Sequence, residues 1–254
     1  VQTYTRRQLK HDRFQEATAE GIHWADEHRK TLILAAVVVI MLAALGFGAY
    51  FYQQQREAQA SEALGNAVQI MNAPIVAANT PGIPEGAITF TTAADREKAA
   101  NKAFNDVAEK FGRTENGKYA RYMAGVTALS MGDTANGEKQ LQDAASSSSK
   151  RVSVLAKMAL ASYYRANNRD ADALNMYKQV IDANSSVVPR PVAQFELESF
   201  YESRQQKSEA IKVLQQIESE ATDKTSSVFD LAQQKLQTLG VAPAPPPTPV
   251  AAKK

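Results

Sequence analysis

The chain has no cysteine, and its one tryptophan is Trp24. Without thiols there are no disulfides, thiolate metal sites, iron–sulfur clusters or cysteine nucleophiles. The redox compartment stays open, because a thiol-free protein folds on either side of a membrane. The three histidines, His11, His23 and His28, all come early, so residues 53–254 cannot assemble a Ser-His-Asp or Cys-His group. Their spacing does not put two imidazoles on one helix face, and no metal site or cofactor is expected. An excess of one charge is missing as well: 29 Lys+Arg against 27 Asp+Glu leave +2 over 254 residues, far from the concentrated basic surface that nucleic acid demands. There is no glycine-rich phosphate loop and no calcium loop. Ser147 and Lys150 spell an isolated S-x-x-K without the companion motifs of Ser–Lys acyl enzymes. Asp170 and Asp172 stand in a polar turn, where solvation and helix N-terminal charge account for them. An enzyme is not expected, and the length suits one folded domain plus appendages.

What the chain does have is a long apolar run. Thr31 to Tyr52 reads TLILAAVVVIMLAALGFGAYFY, without a charge or a strongly polar side chain. A helix of that length covers about 33 Å, enough to cross a hydrocarbon core of about 30 Å. Tyr50, Phe51 and Tyr52 sit where amphipathic rings favour the headgroup zone. The run is too long, and begins too late, for a cleaved signal peptide. Arg13, Arg29 and Lys30 lie before it and Arg56 after it, so the positive-inside rule places the N-terminus in the cytoplasm and residues 53–254 across the membrane. For a bacterial inner membrane, that far side is the periplasm. Ala44 and Gly48 form a small-xxx-small pair that would let two spans approach in a homodimer. The tail, residues 1–30, carries mixed charge and a weak apolar face of Leu9, Phe14, Ala17, Ile22 and Trp24, suited to a surface helix.

Beyond the span, Ala, Gln, Glu and Lys dominate and an all-α domain is expected. Ala100, Gly137, Ala173 and Ala210 recur at intervals of 37, 36 and 37 residues. Four residues after each come Phe104, Leu141, Tyr177 and Leu214, and three further on Val107, Ala144, Val180 and Ile217. Small, then large, then large again at helical spacing is one apolar stripe per unit. A second register precedes each later stripe: Ala120, Ala124, Ala128; Ala156, Leu160, Tyr164; Ala193, Leu197, Tyr201. Short polar turns, Met131-Gly132-Asp133, Asn167-Asn168-Arg169-Asp170 and Arg204-Gln205-Gln206-Lys207, separate the two, so each unit reads helix, turn, helix.

This unit resembles the tetratricopeptide repeat. Gly125 and Ala161 fit its small first-helix position, Tyr164 and Tyr201 its aromatic, Gly132 its turn, and Ala173 and Tyr177 its second helix. Arg121, Lys157 and Gln194 replace an early aromatic, the helix-ending proline is missing, and Glu198 replaces a small residue in the third unit. The expected architecture is a single transmembrane helix (31–52) followed by a tetratricopeptide-like helical-repeat solenoid (53–240). Residues 53–72 and Asp95–Phe111 would form its first pair, around a Pro- and Gly-containing loop insertion at 73–92. Thr92 and Asp95 read as a cap. Ser227–Leu239 would cover the last unit, and a proline-rich tail, 241–254, reads as extended and disordered.

Repeat solenoids hold peptides or proteins on the curved surface formed by their first helices. Projecting the pattern puts Tyr119, Tyr122, Val126 and Leu129 on that face, then Leu155, Met158, Ser162 and Arg165, then Val192, Phe195, Ser199 and Glu202. An apolar groove with aromatics suits unfolded or extended clients. The plainer reading is that these side chains pack against one another or beneath the 73–92 loop. Tail, span and repeats together are similar to the YfgM-type family, the ancillary subunit of the bacterial Sec translocon. The resemblance implies a non-enzymatic inner-membrane adaptor whose partners are translocon subunits, exported clients and periplasmic chaperones. The alternative is a periplasmic repeat scaffold for outer-membrane assembly or cell-envelope coordination.

Overall fold

The computed structural model describes Trp24 and residues 28–77, 82–84 and 86–241. The expected N-terminal surface helix and the proline-rich tail lie outside these residues. The chain divides into two compact units, Val1–Arg56 and Glu57–Lys254.

In the first unit, helix α1 (Arg29–Met71) runs through the apolar segment. Its side chains stand exposed along that stretch, Leu34 and Ile40 at 65% and Leu45 at 70%. By length and composition this helix is able to cross a membrane. The expected span, 31–52, and the expected first helix of the repeat domain, 53–72, lie on this one helix. Gln53, Gln54, Gln55 and Arg56 are good helix formers with no proline or glycine among them, so α1 continues unbroken to Met71.

The second unit holds the end of α1, then α2 (Ala93–Phe111), α3 (Glu115–Ser130), α4 (Thr134–Ala145), α5 (Lys150–Ala166), α6 (Asp170–Ala183), α7 (Arg190–Ser203), α8 (Lys207–Glu220) and α9 (Ser227–Thr238). Helices α3 and α4, α5 and α6, and α7 and α8 pack as pairs, and each pair stacks on the next. The periodic stripe lines the core. Ala100, Ala173 and Ala210 have no exposure, nor do Phe104, Leu141, Tyr177 and Leu214. The preceding register is equally buried, from Ala120 and Ala124 through Ala156 and Leu160 to Ala193. Ala60 and Ala67 of α1 join Phe104, Val107 and Phe111 in the first part of this core.

The turns between paired helices share one geometry. Gly132, Asn168 and Gln205 each have positive φ (83°, 57° and 58°), and so does Gly240 (78°) after α9. At each, the next amide donates back across the turn: Asp133 to Ala128, Arg169 to Tyr164, Gln206 to Tyr201 and Val241 to Leu236, all at 2.9 Å. This six-to-one bond is the Schellman stop, which satisfies carbonyls that the helix end leaves orphaned. Helix starts use Thr92, Thr114, Asp133, Ser149 and Ser226 as caps. At Thr92 the expected pair forms, with the hydroxyl accepting from the Asp95 amide at 3.0 Å and donating to its carboxylate at 2.7 Å. Within the expected 73–92 loop insertion, a parallel bridge joins Ile75 and Phe90, which the sequence did not signal.

Candidate functional site

The candidate face belongs to α3, α5 and α7, the first helix of each of three pairs. Their inner stripe of Ala and Leu is sunk in the core, which leaves the next residues round each helix half in, half out. Tyr119, Tyr122, Val126, Leu129, Leu155, Met158 and Phe195 lie partly buried against the main core. Ser162 and Glu202 are exposed, Ser199 is half-buried, and Val192 is 49% exposed. Tyr119 and Tyr122 meet at 5.6 Å between ring centroids, and the Arg151 guanidinium lies over Tyr119 at 5.5 Å. Burial, with the neighbouring Tyr119, pushes the Tyr122 phenol above its ordinary value, so it stays neutral. Leu129 is turned toward α4: a Cβ placed on Gly137 would come within 2.7 Å of its Cδ2. That side chain fills the space an alanine would need, and is as much core as surface.

Toward the third pair the face becomes polar. Arg165 reaches Glu196 at 3.8 Å. A cavity of about 490 Å³ opens beside it, lined by Ser162, Arg165, Ala166, Asn168, Ser203 and Arg204. Arg204 is committed to structure. It donates to Asp170 at 2.8 Å and to the Arg165 carbonyl at 2.8 Å, joining α7 to the preceding pair. Arg169 does the same one unit earlier, donating to Glu138 at 2.7 Å and lying over the Tyr164 ring at 4.1 Å. Asp170 and Asp172 therefore take arginine partners in addition to their place at a helix N-terminus. Ser147 accepts from the Ser149 amide at 3.2 Å and Ser149 caps α5, so the S-x-x-K segment is a helix start.

Three polar residues were missed by reading the groove pattern alone. Glu57 of α1 accepts from the backbone amides of Glu115 and Asn116, each at 2.9 Å, and so caps α3 from 58 residues away. Nothing local in the sequence announces it. Glu198 is completely buried and accepts from Lys235 of α9 at 2.7 Å. Lys235 also lies 3.4 Å from Glu202. These two do have a signal: Gly125, Ala161, Glu198 and Lys235 follow one another at 36, 37 and 37 residues, so the ion pair occupies the small position of successive units.

Helix α9 covers the last pair as expected, with a different face from the one the repeat dictates. Continuing Ala193, Leu197 and Tyr201 by one unit gives Asp230, Gln234 and Thr238, all exposed. The buried residues are Phe229, Ala232 and Leu236. A polar stripe where a partner helix would dock ends the solenoid.

Among the described residues there is no cluster of three or more metal-ligating side chains. Comparison with curated proteins and with solved structures returns no match. The tetratricopeptide repeat-like domain family matches residues 23–188, which covers well over half of the chain, from the apolar helix through the second full pair. The same turn geometry continues past that limit at Gln205 and Gly240. The described residues form helix pairs stacked in one register, and by that family match the chain belongs to the tetratricopeptide repeat-like domain family.

Proposed function

We propose that this protein is a non-enzymatic, membrane-anchored adaptor that docks other proteins on the face made by α3, α5 and α7. The observation that carries the reading is the family's repeat architecture together with that face. Tetratricopeptide-like domains are protein-interaction scaffolds. On this one, the two tyrosines, Met158 and Phe195 present aromatic and apolar edges beside exposed Val192, Ser162 and Glu202. Such a surface suits an extended or unfolded segment more than a rigid charged partner.

The charge bias around the apolar helix supports a cytoplasmic N-terminus and a repeat domain in the periplasm of a bacterial inner membrane. The likeness of tail, span and repeats to the YfgM-type family adds the finer proposal of an adaptor beside the Sec translocon that passes exported proteins to periplasmic chaperones. A photoreactive residue at Tyr122 or Phe195 in native membranes, followed by mass spectrometry of the crosslinked products, tests it. The expected products are translocon subunits and nascent exported chains. Recovery of envelope-assembly proteins alone would overturn it in favour of a periplasmic scaffold.

A further inference from the structure

Glu198 is a carboxylate with no solvent exposure, placed where the first two units have Gly125 and Ala161. Its Oε2 takes the Lys235 ammonium at 2.7 Å, while its Oε1 is buried without a hydrogen-bond partner. An unpaired buried carboxylate oxygen is costly, and a proton would convert it from an orphan acceptor into a donor. Glu202, one helical turn on, crowds the same site, because it shares the lysine, whose Nζ lies 3.4 Å from its Oε2. Of the other charged groups of the packed helices, Asp230 and Lys207 are exposed to solvent and the rest pair elsewhere. Lys212 pairs with Glu209 and Glu220 with Arg190, Glu218 accepts from Gln233, and Asp170 holds Arg204.

We propose that Glu198 and Glu202 are a proton-binding pair that fastens α9 over the α7/α8 pair, with one bound proton drawing α9 down more tightly than two charged carboxylates do. The proposal rests on the docking reading only for its consequence, since α9 and Glu202 close one end of the candidate face.

The sign follows from what docking does to each group. Burial, and then the nearby Glu202, raise the Glu198 carboxyl above its ordinary 4.5, although Lys235 opposes them. For Lys235, burial works against the charge and the two carboxylates outweigh it, so it stays protonated throughout. A carboxyl whose value is higher in the docked state favours docking as protons bind. The clasp is therefore weakest above the raised value, tightens as the pH falls through it, and levels off below 4.5. This runs against the ordinary expectation that acid loosens an ion pair.

The test is hydrogen exchange of α9 in the full chain, held in nanodiscs without any client, from about pH 8 down to about pH 4 after correction for intrinsic rates. The α9 opening constant is expected to fall on acidification, by about tenfold for each unit by which docking raises the carboxyl. Glu198→Gln, neutral and able to donate, should hold α9 near the acid level at every pH. Glu202→Gln removes the neighbouring charge and should move the midpoint to lower pH, which provides a reading even if the first variant does not fold. Opening that is constant, or that increases in acid, overturns the proposal, as does an unmoved midpoint in Glu202→Gln. Since no client is present, failure here leaves the crosslinking test of the docking face intact, and the converse also holds.

Discussion

Gln205 occupies a left-handed backbone position, φ 58°, that Gly132 fills two units earlier and Asn168 one unit earlier. A residue with a Cβ is strained there by about 1–2 kcal/mol. Glycine also enlarges the unfolded ensemble, which returns about 0.4–1 kcal/mol. Gln205→Gly is therefore expected to stabilise the domain by about 0.5–1 kcal/mol, and Gly132→Ala to destabilise it by about the same amount, both read from thermal unfolding. Gly137→Ala should also destabilise, by about 1–3 kcal/mol, because its new Cβ would come within 2.9 Å of the Leu129 backbone nitrogen. At this scale the sequence was readable in part. Gly132 and the two asparagines announce turns by residue type, whereas Gln205 is recognisable as left-handed only through the repeat register.

At the scale of elements, Glu57 ties α1 to α3 by receiving two amides that the start of α3 would leave unpaired. Glu57→Ala should cost about 1–2 kcal/mol, seen as a lower unfolding temperature with the tyrosine pair of α3 as a local probe. The closure of α7 on α8 carries its own acid signature. Arg190 donates to Glu220 at 2.8 Å, and Gln194, buried beside it, donates at 2.9 Å. Hydrogen bonding by Arg190, then by Gln216 and Gln194, holds the Glu220 carboxyl below its ordinary 4.5 against the opposing effect of burial. A depressed carboxyl contributes stability above its unfolded value and loses it as the pH falls through the folded one, so this contact should weaken below pH 4.5. Glu220→Gln should flatten the acid limb of the unfolding profile. Helix existence and pairing were legible from the apolar stripes. The end of α1 at Met71 falls one residue short of the 53–72 helix read from the sequence, and α9 buries its own apolar residues Phe229, Ala232 and Leu236. The Glu57 contact was not legible, because the nearer of the amides it accepts from lies 58 residues away.

For the molecule as a whole, the proposed function assigns the anchor to the apolar half of α1, a helix able by length and composition to cross a membrane, and the docking face to the stacked pairs. Lysines at Val38 and Leu42 together would place about 5–7 kcal/mol of unfavourable transfer near the middle of the span. Val38→Lys with Leu42→Lys should therefore release the chain into the alkaline-extractable fraction, with helix content in the repeat domain unchanged. Retention in the membrane pellet would remove the anchor from this account. The twelve candidate face residues are the part least fixed by sequence. Their spacing puts them on one side of three helices, but Leu129 is taken up in part by Gly137, and Glu202 by Lys235.

The sequence by itself determined the helical class, the period of the units, the buried stripes and the lipid-compatible run, because each follows from side-chain periodicity along one segment. Only the tertiary structure decided that Glu57 caps a helix far along the chain and that the buried Glu198 meets Lys235 of α9. Those outcomes are contacts between segments, and a polar side chain finds its partner through packing that no local pattern encodes.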